Sequence, residues 1–126
     1  MWRYDVSEKN LFHVTRTESV DSIFNNGLEP GTIDRRNSDR LDTQSNIYFA
    51  RTLGTINDPK GQLNGTAHWW KQHFTDNDTV VGRDWTILSV NVESMADTIV
   101  RDPWSSTGLI YRTKFTIPPN AIEIVG

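Results

Sequence analysis

The order of apolar patterns along the chain restricts its fold more than any other feature of the sequence. Two segments, residues 18–26 and 66–74, repeat apolar residues at helical spacing. Segments with the alternation or composition of β-strands are residues 11–15, 46–50, 85–92, 109–115 and a last short stretch after Pro118-Pro119. The helices come early and most of the strands come late. Because a parallel, doubly wound sheet needs helices that alternate with strands, the sequence predicts an α+β fold with mostly antiparallel strands.

Polar residues and a glycine mark the ends of the two predicted helices. Thr17 is the predicted N-cap of the first helix, and Thr66 is the predicted N-cap of the second. Gly27 follows the first helix and is expected to end it in a left-handed conformation. Leu28 would then fold back over the apolar stripe of that helix.

The size and composition of the chain are typical of one globular domain. Its 126 residues can bury a single core, so residues 1–126 are predicted to form one domain. Hydrophobic residues make up 36% of the chain and charged residues 23%. The chain has no cysteine, which excludes disulfides, thiolate chemistry and cysteine zinc sites. His68 and His73 are five positions apart, the wrong spacing for two ligands on one helix face, so no metal site is predicted.

The charge and the apolar runs restrict the partners and the location. The formal net charge of −3 gives no general attraction to nucleic acid. The first ten residues lack the apolar segment of a signal peptide, and no apolar run reaches the length that spans a membrane. The expected location is therefore the cytoplasm, with no membrane partner.

His13 is the most unusual residue of the first predicted strand. Alternation places His13 and Thr15 on one face, opposite Phe12 and Val14. Side chains two residues apart on a strand stand roughly 6–7 Å apart, which suits two hydroxyl or amide groups of one ligand. The alternative is a histidine at the edge of a strand that bonds a neighbouring group and has no ligand.

Tyr48 has a similar ambiguity in the second strand, "NIYFA". Ile47 and Phe49 alternate as core residues, and Tyr48 and Ala50 face the other side. The small side chain of Ala50 would leave space beside the phenol ring. Tyr48 is therefore either an amphipathic core residue or an aromatic platform next to a cleft.

These segments resemble the motifs of the ADP-ribosyltransferase family. The matching stretches are "FHVT" before the first helix, "NNGLEPG" after it, "NIYFA", and the ending "YRTKFTIPPNAIEIVG". In that family the first strand carries H-x-T or H-G-T/S, and a strand of the "IYFA" type carries a tyrosine. The resemblance covers nearly all of the chain in outline. It implies a split pair of small antiparallel β-sheets with one or two helices and an NAD-binding cleft between the sheets.

The resemblance also implies a role for each matched residue. His13 would hydrogen-bond a ribose hydroxyl of NAD, and Thr15 would help to hold the dinucleotide. Tyr48 would stack on nicotinamide, a cation that an aromatic face attracts by about 0.5–2 kcal/mol. Arg16 and Arg51, the cations next to the motifs, are candidates for contact with the pyrophosphate.

The predicted catalytic acid is less clearly marked. Most members of the family have a glutamate at the start of a late strand, but the matching stretch "GLIYRTKF" contains no acid. The nearest candidates are Glu93, Asp97 and Asp102. In the rifamycin-modifying branch of the family, an aspartate in the loop before a "YRS" strand replaces the glutamate, and Asp102 in "VRDPWSSTGLIYR" has a similar setting. Asp102 is therefore the predicted acid, and its alternative role is to form an Asp-Pro turn.

The implied activity is an NAD-dependent mono-ADP-ribosyltransferase that releases nicotinamide. The net negative charge of the chain favours a small molecule or a protein as acceptor over nucleic acid. The small size suits a toxin, a defence-related effector or a drug-modifying enzyme. One alternative is a non-catalytic module that binds NAD, ADP-ribose or a protein partner. Another is an enzyme similar to the RNA 2′-phosphotransferases, for which the chain has no strong cluster of basic residues.

Overall fold

The computed structural model of this chain describes residues 9–30, 46–54, 66–101 and 110–126. The strands and α-helices within these ranges are β1 Asn10–Arg16, α1 Val20–Asn26, β2 Ile47–Ala50, α2 Ala67–Asp76, β3 Trp85–Asn91, β4 Val100–Arg101, β5 Ile110–Thr113 and β6 Ile122–Ile124. Short 3₁₀ helices at Thr17–Ser19, Glu93–Thr98 and Pro119–Ala121 precede α1, β4 and β6. Neither α-helix in the described ranges is long and apolar enough to cross a bilayer.

The six described strands form one antiparallel sheet in the order β4-β5-β2-β1-β3-β6. This arrangement confirms the predicted α+β class with antiparallel strands. It differs from the expected split pair of sheets, because hydrogen-bonded pairing connects all six strands. The connection is narrow at one place, which we call the β1–β2 junction. There β1 and β2 pair only at Phe12 and Ala50, whereas β1 pairs with β3 along its whole length.

Both faces of the sheet bury apolar side chains. On the first face, which we call the α1 face, Leu11 and Phe49 belong to a core that includes Ile23 of α1. On the opposite α2 face, Ile87 packs with Ala67 of α2. Because both faces of β1 are covered, its alternating residues from Leu11 to Thr15 are each partly or fully buried, and only the terminal Asn10 and Arg16 are exposed. This explains why the sequence of β1 lacks a clear polar side.

The N-terminus of α2 was predicted correctly, but that of α1 was not. The hydroxyl of Thr66 accepts a hydrogen bond from the backbone N–H of Trp69, at 3.3 Å, which is the expected cap. Thr17 instead begins a 3₁₀ helix, and α1 begins at Val20. The Thr17 hydroxyl is 2.6 Å from the hydroxyl of Thr86, so it serves a contact with β3 and not a helix cap.

Gly27 ends α1 at the expected position, but its ψ of 168° places it outside the left-handed helical conformation that was expected. Its φ of +88° lies in the region that favours glycine, and its N–H donates to the carbonyl of Ile23 at 2.7 Å. Leu28 follows and exchanges two backbone hydrogen bonds of 2.9 Å with Ile117. Leu28 is buried in the same core as Ile23, so the predicted return of the chain over the helix is confirmed.

The late part of the sheet differs from the predicted strands in two respects. The strand expected at 109–115 ends at Thr113, because the hydroxyl of Thr113 accepts a hydrogen bond from the N–H of Phe115 and closes a turn. Phe115 is 58% exposed and lies outside the sheet. The 3₁₀ helix Glu93–Thr98 and the two-residue strand β4 were not predicted.

Candidate functional site

The candidate site is at the β1–β2 junction. Only one residue pair joins the two strands there, so the backbone ladder does not continue along β1 from Phe12 toward Thr15. His13 bridges the strands next to this pair, and its Nδ1 is 2.7 Å from the backbone carbonyl oxygen of Tyr48. A side chain therefore makes a link between β1 and β2 where their backbones no longer pair.

The hydrogen bond of His13 defines the tautomer of the ring. A carbonyl oxygen can only accept, so Nδ1 carries the proton and Nε2 is left with a lone pair. Burial lowers the pKa of His13 below its ordinary value, and the hydrogen bond to Tyr48 only partly opposes this shift. The imidazole is therefore neutral at physiological pH, and its Nε2 can accept a hydrogen bond but cannot donate one.

His13 lies on the α1 face, next to the aromatic ring of Phe49. The two ring centroids are 6.2 Å apart and the ring planes are inclined by 67°, an edge-to-face arrangement. Phe49 is 1% exposed, whereas His13 is half-buried. The imidazole thus has a rigid apolar neighbour while part of its surface is accessible.

Hydroxyl groups line the same face beyond His13. Thr15 is half-buried and lies opposite Thr86 of β3, whose hydroxyl contacts that of Thr17. Sequence reasoning found Thr15 and assigned Thr17 to a helix cap, but it did not predict the contact between Thr17 and Thr86. No short motif could have identified this pair, because the two residues are 69 positions apart in the chain.

The side chain of Tyr48 does not share a face with that of His13. Tyr48 directly precedes the buried Phe49 on β2, so the two side chains point to opposite faces of the sheet. Tyr48 lies opposite Arg112 of β5, and the side chains of Tyr48 and Arg112 are therefore both on the α2 face. The Tyr48 hydroxyl oxygen is buried. The structure therefore brings His13 together with the backbone of Tyr48 and not with its phenol ring. A ligand that touches both rings would have to pass through the β1–β2 junction from one face to the other.

The backbones of the two arginines suggested for the pyrophosphate lie near opposite ends of β1, one on β1 itself and the other just after β2. Arg16 is at the C-terminal end of β1, with its guanidinium 5.8 Å from the centre of the Trp85 ring. Arg51 follows Ala50, which pairs with Phe12 near the other end of β1. Arg16 lies four positions along β1 from Phe12, a backbone distance of about 13 Å. The structure adds Arg112, opposite Tyr48 on β5, as a third cation that sequence reasoning missed.

Asp102, the predicted acid, lies outside the described residues, as does Trp104. The other two candidates, Glu93 and Asp97, belong to the 3₁₀ helix before β4 and are exposed. Glu93 is 3.7 Å from Lys9 in an ion pair whose two side chains are mostly exposed. Within the described part of the chain, the buried core on the α1 face contains no carboxylate.

The strand that resembles the acid-bearing strand of the family carries a hydroxyl on the α1 face. Thr113 of β5 lies opposite Ile47, is 1% exposed, and its hydroxyl donates to that of Thr98 at 3.3 Å. A buried threonine bonded to a second threonine cannot act as a general base or carry a negative charge. Any catalytic carboxylate must therefore come from elsewhere in the chain.

The second helix carries a row of aromatic rings, as expected for core and partly exposed positions. Trp69 stacks on His73 with a centroid distance of 5.0 Å and an interplanar angle of 10°. Phe74 packs against Trp85 of β3, also at 5.0 Å. Helix residues four positions apart are neighbours, so the Trp69–His73 stack is explained by the helix itself.

Comparison with family models and with curated proteins found no match to this chain. The resemblance to ADP-ribosyltransferases therefore depends on the quoted sequence motifs alone.

Proposed function

We propose that this protein is an NAD-dependent mono-ADP-ribosyltransferase that binds NAD at the β1–β2 junction. The observation that carries the proposal is the neutral His13, whose Nδ1 donates to the Tyr48 carbonyl and whose Nε2 is an acceptor. This histidine belongs to the H-x-T motif, and the carbonyl belongs to the tyrosine of the "IYFA" motif. The two motifs that suggested the family thus meet in one hydrogen bond.

The acceptor character of Nε2 defines the group that His13 would bind. A ribose hydroxyl donates a hydrogen bond to a lone pair, whereas a phosphate or carboxylate oxygen does not. Thr15, on the same face about 6–7 Å along the strand, would supply a hydroxyl that both donates and accepts. A nucleoside sugar with adjacent hydroxyls is therefore the ligand group that suits this pair.

The proposed reaction is a transfer at the anomeric carbon of the nicotinamide-bearing ribose. The bond between this carbon and the ring nitrogen breaks, and its electron pair leaves with nicotinamide, which becomes neutral. The carbon carries positive charge until an oxygen or nitrogen of the acceptor bonds to it, as in glycoside hydrolysis. A carboxylate would stabilise that charge and take the proton of the acceptor, and we assign this role to Asp102, with Glu93 and Asp97 as alternatives.

The placement of Tyr48 refines its proposed role. Its carbonyl orients His13, and stacking of its ring on nicotinamide requires the ligand to cross the junction to the α2 face. Arg112 lies opposite Tyr48 on that face and Arg51 follows β2, so we assign the contact with the pyrophosphate to these two cations rather than to Arg16.

A specific observation also favours a non-catalytic module that binds NAD or ADP-ribose. Thr113 occupies the late strand in which the family usually has its glutamate, and its hydroxyl is used in the bond to Thr98. If no other carboxylate reaches the ribose, the site would bind the dinucleotide without cleaving it.

The test is isothermal titration with NAD, followed by an assay of nicotinamide release. If NAD binds and nicotinamide is released, the protein is an enzyme; if NAD binds and no nicotinamide is released, it is a non-catalytic module.

His13→Ala should weaken NAD binding by about 5- to 150-fold, because a buried hydroxyl loses its partner at a cost of about 1–3 kcal/mol. His73→Ala removes an exposed histidine of α2 and should leave the affinity unchanged. An equal affinity for the wild type and His13→Ala, or no binding to the wild type, would contradict the proposal.

A further inference from the structure

The orientation of His13 depends on more than its hydrogen bond. The bond from Nδ1 to the Tyr48 carbonyl restrains both side-chain torsions of His13, but a hydrogen bond tolerates a range of angles, so the ring can still rock within that range. The opposite tautomer, with the proton on Nε2, would lose this bond and become a donor toward any ligand. The face of the imidazole must therefore be supported by a second contact if Nε2 is to remain an acceptor in a fixed direction.

Phe49 makes that second contact. Its ring is 6.2 Å from the imidazole centroid at an interplanar angle of 67°, within the usual range for an edge-to-face pair. At 1% exposure, Phe49 is embedded in the core of the α1 face. It lies opposite Tyr111 of β5 and directly follows Tyr48 in sequence. Consecutive residues of β2 thus supply the acceptor for Nδ1 and the wall beside the ring.

We propose that Phe49 is a positioning residue, which holds His13 in the orientation that lets Nδ1 donate to the Tyr48 carbonyl and keeps Nε2 as an acceptor. The part of this inference that concerns ligand affinity rests on the proposed function; the part that concerns the imidazole does not.

The test compares Phe49→Leu with Tyr111→Leu. Tyr111 is the matched control, because it is also a buried aromatic residue of the same core but lies one strand farther from His13. Phe49→Met, whose unbranched side chain adapts better to an irregular space, serves as a second variant if Phe49→Leu does not fold. For each protein, the ¹⁵N chemical shifts of the imidazole report which nitrogen of His13 carries the proton.

The expected result distinguishes a role of Phe49 in orienting His13 from a role in filling the core. Both leucine variants should lose stability, but only the Phe49 variants should show a smaller population of the tautomer with the proton on Nδ1. Their affinity for NAD should fall by about 2- to 10-fold relative to Tyr111→Leu, the effect expected for loss of one aromatic pair. Unchanged ¹⁵N shifts in both Phe49 variants would overturn the inference. If the wild type binds no NAD, the proposed function fails, and the ¹⁵N shifts still decide whether Phe49 positions His13.

Discussion

The neutral state of His13 can be tested through the pH dependence of folding, with His13→Asn as the perturbation. Asparagine cannot titrate, but its side-chain amide can place a donor close to the position of Nδ1 and so retain the bond to the Tyr48 carbonyl. The variant therefore removes the proton equilibrium while it keeps the hydrogen bond that joins β1 to β2. A difference in pH dependence between the two proteins then reports the protonation of His13.

The sign of the effect follows from the direction of the pKa shift. Burial lowers the pKa of His13 in the folded protein, so below about pH 6.5 the unfolded chain binds a proton that the folded protein does not. Between that pH and the folded pKa, the free energy of unfolding should fall by up to about 1.4 kcal/mol for each pH unit. His13→Asn should lack this component, and its stability should therefore be less sensitive to acid.

The measurement is urea unfolding, followed by tryptophan fluorescence, at intervals from about pH 8 to about pH 5. His68 also has a lowered pKa, because of burial and then the charge of Lys71, so the slope of the wild type alone does not isolate His13. The difference in slope between the wild type and His13→Asn isolates the contribution of His13. His73→Asn controls for the loss of an exposed histidine. Parallel curves would refute a neutral, buried His13, and a wild type that gains stability relative to the variant in acid would show that the folded protein holds the imidazolium.

Three further changes test the acid, the end of α1 and the start of α2. Asp102→Asn should leave NAD affinity nearly unchanged and lower nicotinamide release by about 100-fold or more; unchanged release would exclude Asp102 as the acid. Gly27→Ala should lower the free energy of unfolding by more than Gly82→Ala, because both have positive φ but only at Gly27 would a Cβ lie 2.6 Å from the Ile117 carbonyl oxygen. Equal losses in urea unfolding would refute that contact. Thr66→Ala should cost about 1 kcal/mol through loss of the cap, and Thr66→Ser should restore most of it in thermal melts.

Local sequence patterns predicted those elements that local interactions determine. The cap at Thr66 and the bond from the Gly27 N–H to the Ile23 carbonyl each join residues within one turn of a helix, so their sequence signals were sufficient. Thr17 was misassigned because its hydroxyl contacts that of Thr86 in β3. A prediction from neighbouring residues in the sequence cannot detect a partner so distant along the chain. The strand after residue 109 was predicted too long for a similar reason, since its end depends on the turn that Thr113 forms.

The relation between His13 and Tyr48 shows why the candidate site was harder to predict than the strands that carry it. Alternation assigned each residue to a face of its own strand, but it could not tell which face of β1 lies on the same side of the sheet as which face of β2. A register shift by one residue would place His13 opposite Tyr48, and the two rings would then share a face.

The burial of β2 decides between the two registers. In the observed register, Ile47 and Phe49 are 2% and 1% exposed in the core of the α1 face. The shifted register would move both side chains out of that core. At about 1.5–3 kcal/mol for each fully buried large apolar side chain, the loss would exceed the gain from one aromatic contact between His13 and Tyr48. The core therefore sets the register, and the register leaves the backbone of Tyr48, and not its ring, as the partner of His13.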